Sequence, residues 1–153
     1  VFKVVGNIPY YITGALLKAF LSGEVQPSLL VFLVQKEVAE RIIRSKKESI
    51  LSLSVKAYGE PAYIKTVPAG AFSPPPQVDS AIIAVRNISR NNFADRAHEE
   101  RFFNTIKRGF AQKRKLLRSN LGVDYADACN KVGMPNNARA EDVSLQTWLA
   151  LSR

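Results

Sequence analysis

Phe2-Lys3-Val4-Val5-Gly6-Asn7-Ile8-Pro9-Tyr10 opens the chain with a short apolar run that ends at a proline. Proline cannot donate to a sheet ladder, so this predicts a strand that stops near Gly6 or Asn7. Working outward, Thr13 can cap a helix running to about Ser22, with Gly23 just past its end. Leu29 to Val34 are six consecutive apolar residues, the pattern of a parallel strand covered on both faces. Lys36 to about Ser45 carries Val38, Ala39, Ile42 and Ile43 at helical spacing. A second helix is expected over 49–58, although Ser52, Ser54 and Val55 are poor helix formers. Residues 62–67 and 80–86 read as strands, separated by Phe72-Ser73-Pro74-Pro75-Pro76, whose prolines force an extended loop. Strand, helix, strand, helices, strand, loop, strand is the order of the second half of an open α/β sheet finished by a hairpin-like pair.

Residues 87–97 are polar and irregular and read as a linker, which divides the chain into 1–86 and a helical unit over 98–153. In the helical unit Phe102, Ile106 and Phe110 recur every four residues, and Gly133-Met134-Pro135 separates helices expected over 124–132 and 144–151. The 153 residues are 46% hydrophobic, enough for a core. One cysteine excludes a disulfide framework and a Cys-rich metal site. No apolar run approaches the roughly 20 residues that span a bilayer. The expectation is a soluble, cytoplasmic protein without a metal or a membrane partner.

The chain has 22 Lys and Arg against 13 Asp and Glu, a net charge of +9. Residues 86–118 hold ten of those bases and three acids, and so most of the excess. Lys107, Arg108, Lys113, Arg114, Lys115 and Arg118 lie in a stretch with no acid. Such clustering on one element is the electrostatic footprint of a phosphate-contacting surface, with RNA or DNA as the polyanion.

Asn7-Ile8-Pro9-Tyr10 follows a strand, at the edge where open α/β sheets bind ligands. The tetrapeptide resembles the (Asp/Asn)-x-Pro-(Tyr/Phe) motif of methyltransferases that act on adenine. The exocyclic amine of adenine is a poor nucleophile because its lone pair is delocalised into the ring. Acceptor oxygens from the Asn7 side chain and the Ile8 backbone can hold its hydrogens and favour a pyramidal nitrogen. Pro9 turns the chain toward the pocket, and Tyr10 can stack on a base taken out of its helix. A direct displacement at a methyl sulfonium needs proximity and electrostatics more than a general base.

Three further segments share one resemblance. Phe72, Pro74, Pro76, Val78 and Ser80 occupy the positions of a Phe-x-Pro-x-Pro-x-Val-x-Ser loop. Gln35-Lys36-Glu37-Val38 follows the second strand, and Phe110-Ala111-Gln112-Lys113-Arg114-Lys115-Leu116-Leu117-Arg118-Ser119-Asn120-Leu121 lies in the helical part. In that order, with the Asn7 motif, they resemble the small-subunit rRNA adenine dimethyltransferases, the KsgA family. The resemblance implies the C-terminal half of a Rossmann-like methyltransferase sheet followed by a small all-helical rRNA-binding domain. It implies S-adenosylmethionine as cofactor, touched by Asn7 and Pro9, and two adjacent adenosines of small-subunit rRNA as target. Asn7, Ile8, Pro9, Tyr10 and Phe72 would form the catalytic site, with Tyr10 and Phe72 sandwiching the adenine, in a step of small-subunit maturation.

Ile8 stands where the family more often has Leu, and 49–55 lacks the Tyr-Gly-basic triplet that often precedes Leu-Ser-Val. No G-x-G element occurs in the chain. The family's Gly-rich loop, which holds the cofactor, lies in its first half, so a C-terminal fragment, incomplete and inactive by itself, is expected. Its opened sheet edge would be prone to association. A large-subunit rRNA adenine methyltransferase of the antibiotic-resistance type shares the Asn7 motif, but the 110–121 segment argues against it. The residues also allow a mitochondrial transcription-factor relative and a non-catalytic rRNA-binding module. Cys129 and Trp148 read as core, and His98 has no second His or nearby Cys for a metal.

Overall fold

The computed structural model describes residues 1–153. Strand β1 (Lys3–Asn7) leads through a single 3₁₀ turn at Tyr10–Ile12 into helix α1 (Thr13–Leu21). Strand β2 (Leu29–Gln35), helix α2 (Lys36–Ile43), helix α3 (Ile50–Tyr58) and strand β3 (Glu60–Val67) follow, and strand β4 (Ser80–Arg86) completes a sheet of order β1-β2-β4-β3. β1 pairs parallel to β2, with Val5 opposite Val31 and Asn7 opposite Leu33. β4 runs antiparallel to both its neighbours, so the expected hairpin-like pair is present as β3 and β4. β1 and β3 are the edge strands. Val5 on β1 is 77% exposed, an apolar side chain on an open face of the edge strand.

Local chemistry explains most element boundaries. Proline at position 9 ends β1 as expected, but Thr13 does not cap α1 from outside. It is the first helical residue, and its hydroxyl donates back to the Tyr10 carbonyl at 3.2 Å. The serines that count against α3 instead define its start. Ser49 is the N-cap, and Ser49 and Ser52 exchange backbone and side-chain bonds in a capping box. The apolar run of β2 is sealed on one face only: Leu30, Phe32 and Val34 are buried, whereas Leu29, Val31 and Leu33 are half-buried.

Helix α4 (Arg96–Gly109) is followed by three short helices, α5 (Leu117–Leu121), α6 (Ala126–Lys131) and α7 (Leu145–Leu151). One core runs without a break from Leu30 and Ile83 in the sheet through Phe93 to Phe102, Ile106 and Trp148 in the helices. Residues 87–95 are irregular, as a linker would be, but they are firmly anchored. Ser89 N–H donates to the Tyr58 carbonyl, the Asn92 side chain donates to the Ala57 carbonyl, and Phe93 is buried. His98 is part of the same packing. Its Nδ1 accepts from Ala94 N–H at 3.0 Å, so Nε2 carries the proton and donates to the Leu149 carbonyl at 2.9 Å. Cys129 is buried, and burial pushes its thiol above the usual range. No helix is long and apolar enough to cross a membrane.

Candidate active site and nucleic-acid interface

Strand directions gather the motifs at one edge. β1 and β2 are parallel, so Asn7 and Gln35 end side by side. β4 starts where they end, with Ser80 opposite Gln35, and β3 ends there too, with Val67 opposite Ser80. The proline loop 68–79 therefore spans the same edge as Asn7-Ile8-Pro9-Tyr10. In an α/β sheet this is the side outside the carboxyl ends of the parallel strands, where ligands bind.

Asn7 and Pro9 are exposed, Tyr10 and Phe72 are half-buried, and Ile8 is buried. The exposed Asn7 amide takes part in none of the side-chain hydrogen bonds formed at this edge. The Ile8 side chain joins the core, which anchors the motif's backbone. Tyr10 is held by its hydroxyl, 2.6 Å from the Ser80 Oγ. Phe72 closes a 3₁₀ turn, its N–H donating to the Ala69 carbonyl at 3.2 Å. Neither ring joins the aromatic pairs that fill the core. Two partly exposed rings and a free amide at a sheet edge suit a flat, amine-bearing ligand. The exposed Asn7 and Pro9 would be open to contact with a cofactor bound at this strand end. A cavity of about 660 Å³ between α1, α3 and α4 is lined by none of these residues.

Sequence reasoning missed what holds Tyr10. The clue was a lone serine opening an otherwise apolar strand: Ser80 is fully buried and has the Tyr10 hydroxyl as its partner.

The basic residues divide into two groups. Lys113, Arg114 and Lys115 lie on the loop between α4 and α5, not on a helix face, and all three are exposed. Lys107 at the end of α4 is exposed as well. Arg108 approaches Asp124 at 3.6 Å and lies 5.4 Å from the Tyr125 ring centre. Arg118 is turned inward. Its guanidinium donates to Asn130 Oδ1 and to the Met134 carbonyl, both at 3.0 Å. The continuous stripe expected from sequence is thus an exposed loop cluster with Lys107, an Arg108 that faces the exposed Asp124, and an Arg118 engaged with Asn130 and the Met134 carbonyl.

A family model described as "Ribosomal RNA adenine dimethylase" matches residues 1–153. A ribosomal RNA small subunit methyltransferase A of Dehalococcoides mccartyi is 40% identical, the match covering 98% of this chain and 54% of that protein. The protein of the same name from Trichormus variabilis is 39% identical over 98% of this chain and 59% of its own length. The chain thus spans a little over half the length of these curated relatives. Among solved structures, a dimethyladenosine transferase from Plasmodium falciparum superposes with a TM-score of 0.78 at 22% identity, covering 98% of this chain and 65% of that one. The 23S rRNA methyltransferase ErmE gives 0.76 at 24% identity, covering 99% and 64%. These likenesses identify the fold as the Rossmann-like α/β fold of methyltransferases.

Proposed function

From the premise that this chain belongs to the ribosomal RNA adenine dimethylase family, we propose that it transfers methyl groups to the exocyclic amines of two adjacent adenosines in small-subunit rRNA. The observation that carries this reading is the free Asn7 amide at the end of β1, on the sheet edge that also holds Tyr10 and Phe72. S-adenosylmethionine, when bound, supplies the methyl group. Asn7 and Pro9 would contact it, and the Asn7 oxygen with the Ile8 carbonyl would orient the target amine. Those two acceptors favour the pyramidal nitrogen that attacks, and they stabilise the positive charge that develops on it. Tyr10 and Phe72 stack on the two faces of the extruded adenine, which fixes its orientation and excludes water.

Lys107, Lys113, Arg114 and Lys115 grip phosphates of the rRNA and set the register of the target, with Arg108 at the margin of that surface and Arg118 supporting it from inside the fold. The setting is the cytoplasm, during maturation of the small ribosomal subunit. The curated relatives favour the small-subunit target over the large-subunit one, since the likeness to ErmE is one of fold.

The test is methyl incorporation into under-methylated small subunits by protein carrying these residues, with the modified nucleosides identified after digestion. Dimethyladenosine at two adjacent positions, lost in Asn7→Ala while RNA affinity is kept, is the expected result. Product on large-subunit rRNA instead sinks the small-subunit assignment. Tight RNA binding without transfer points to the non-catalytic binding module.

A further inference from the structure

We propose that the dipeptide Asp79-Ser80 positions both aromatic walls of the base site, so that one point at the start of the central β4 strand sets the gap between Tyr10 and Phe72. The inference rests on the reading that these two rings enclose the adenine.

Ser80 is fully buried, and its Oγ lies 2.6 Å from the Tyr10 hydroxyl. A tyrosine on a short turn can swing about its first side-chain torsion. A buried hydroxyl at its tip removes that freedom. Asp79 acts on the other wall. Its Oδ1 accepts from Ala69 N–H at 2.9 Å, and Ala69 begins the 3₁₀ turn that ends against Phe72. The Asp79 carbonyl accepts from Lys36 N–H at 3.0 Å, which ties the same residue to the start of α2. Ser80 pairs with Gln35 on one side and Val67 on the other, so the dipeptide is clamped between two strands. Both walls therefore take their position from neighbouring residues of one rigid strand end. Ser80 is sealed from solvent behind Tyr10, and Asp79 is engaged with the Ala69 turn, so both act through the rings they hold.

Two short single-stranded RNAs test this with the chain itself. One carries two adjacent adenosines; its twin has abasic ribose at both positions. The ratio of their affinities, read by fluorescence anisotropy, isolates the contribution of the bases from that of the phosphates. For the unaltered chain a preference of about tenfold or more for the adenosine RNA is expected from stacking. Ser80→Ala, Asp79→Ala and Tyr10→Phe should each bring that ratio down by about fivefold, the effect of removing one hydrogen bond. Affinity for the abasic RNA should stay the same. Asp79→Asn, which keeps the Oδ1 acceptor, should restore the ratio, and Tyr10→Phe combined with Ser80→Ala should be no worse than either alone.

A strong preference in the unaltered chain that survives Ser80→Ala and Asp79→Ala overturns the positioning role and leaves the base-stacking reading intact. An equal loss on both RNAs also overturns it, because it marks a role in the fold. No preference in the unaltered chain defeats the stacking reading, and the positioning role with it.

Discussion

Arg90 lays its Nε across both carboxylate oxygens of Glu99, at 3.1 and 3.3 Å, and its Nη2 reaches the carbonyls of Ser22 and Gly23 at the end of α1. The pair joins three parts of the chain: the helix that follows the Asn7 motif, the irregular segment after β4, and the first helix of the basic region. The Glu99 and Arg90 side chains are only 8% and 22% exposed, so removing the carboxylate would leave the Arg90 charge without its counter-ion where water barely reaches. We expect Glu99→Ala to cost about 3 kcal/mol, read as a fall in the urea midpoint. A joint Arg90→Met, Glu99→Leu replacement should cost clearly less than the two single changes added together. An unchanged midpoint in Glu99→Ala would show that the junction is held by apolar packing alone.

Tyr58 donates its hydroxyl to the same Glu99 carboxylate. Burial and then that carboxylate push its phenol well above the usual value of 10.0. The sign follows from linkage. A group whose pKa is raised in the folded state contributes stability that is whole below the unfolded pKa and is lost as pH climbs beyond it. Stability should therefore hold up to about pH 10 and then decline. The contribution of this one group falls by about 1.4 kcal/mol per pH unit. Tyr58→Phe should start lower, because the carboxylate loses a donor, and should show a shallower alkaline decline. Melting temperatures between pH 8 and 11 for the two proteins decide it. Parallel curves would mean that Tyr58 does not titrate with unfolding in this window.

Gly109, the last residue of α4, is buried where Leu117 and Trp148 converge. A Cβ placed there would overlap the Trp148 ring and come within 2.8 Å of Leu117 Cδ1. Trp148 is fully buried and stacked on Phe110, so it has nowhere to move. Gly109→Ala should therefore cost about 1–3 kcal/mol through overpacking, although alanine is the better helix former. Equal or higher stability in that variant would show that the ring can give way.

The contrast between Gly109 and the Asn7 motif shows which features the sequence reveals. Pro9 announces the end of β1 by its own chemistry, and the apolar run of β2 announces a strand whatever it packs on. The fold class, and the strand ends at which the Asn7 motif and the proline loop meet, were legible for that reason. Gly109 resembles any glycine near a helix end until Trp148, 39 positions later, is seen against it. Ser80 resembles the start of a strand until Tyr10 is found beside it. The burial of Phe93 is equally hidden, because polar neighbours on both sides make 87–95 read as a tether. What escaped the sequence depends in each case on packing between distant segments, for which local pattern carries no signal.

That distinction matters most in the basic region, where six similar side chains fall into different roles. Lys113, Arg114 and Lys115 stand exposed on the loop after α4, and no hydrogen bond or ion pair in the fold uses their charges. Changing the three together to alanine should leave thermal stability unchanged. It should weaken RNA binding and make its salt dependence shallower by about 0.7 in log–log slope for each phosphate left without its cation. Arg118 should do the opposite. Its guanidinium holds the Met134 carbonyl and Asn130, and its Nε is buried. Arg118→Ala should cost about 1–3 kcal/mol of stability by stripping those groups of a partner, while the salt slope stays as it was. RNA titrations at four salt concentrations, paired with melting curves, separate the two. A shallower slope in Arg118→Ala, or an unchanged one in the triple variant, would place the phosphate-binding surface elsewhere on the molecule.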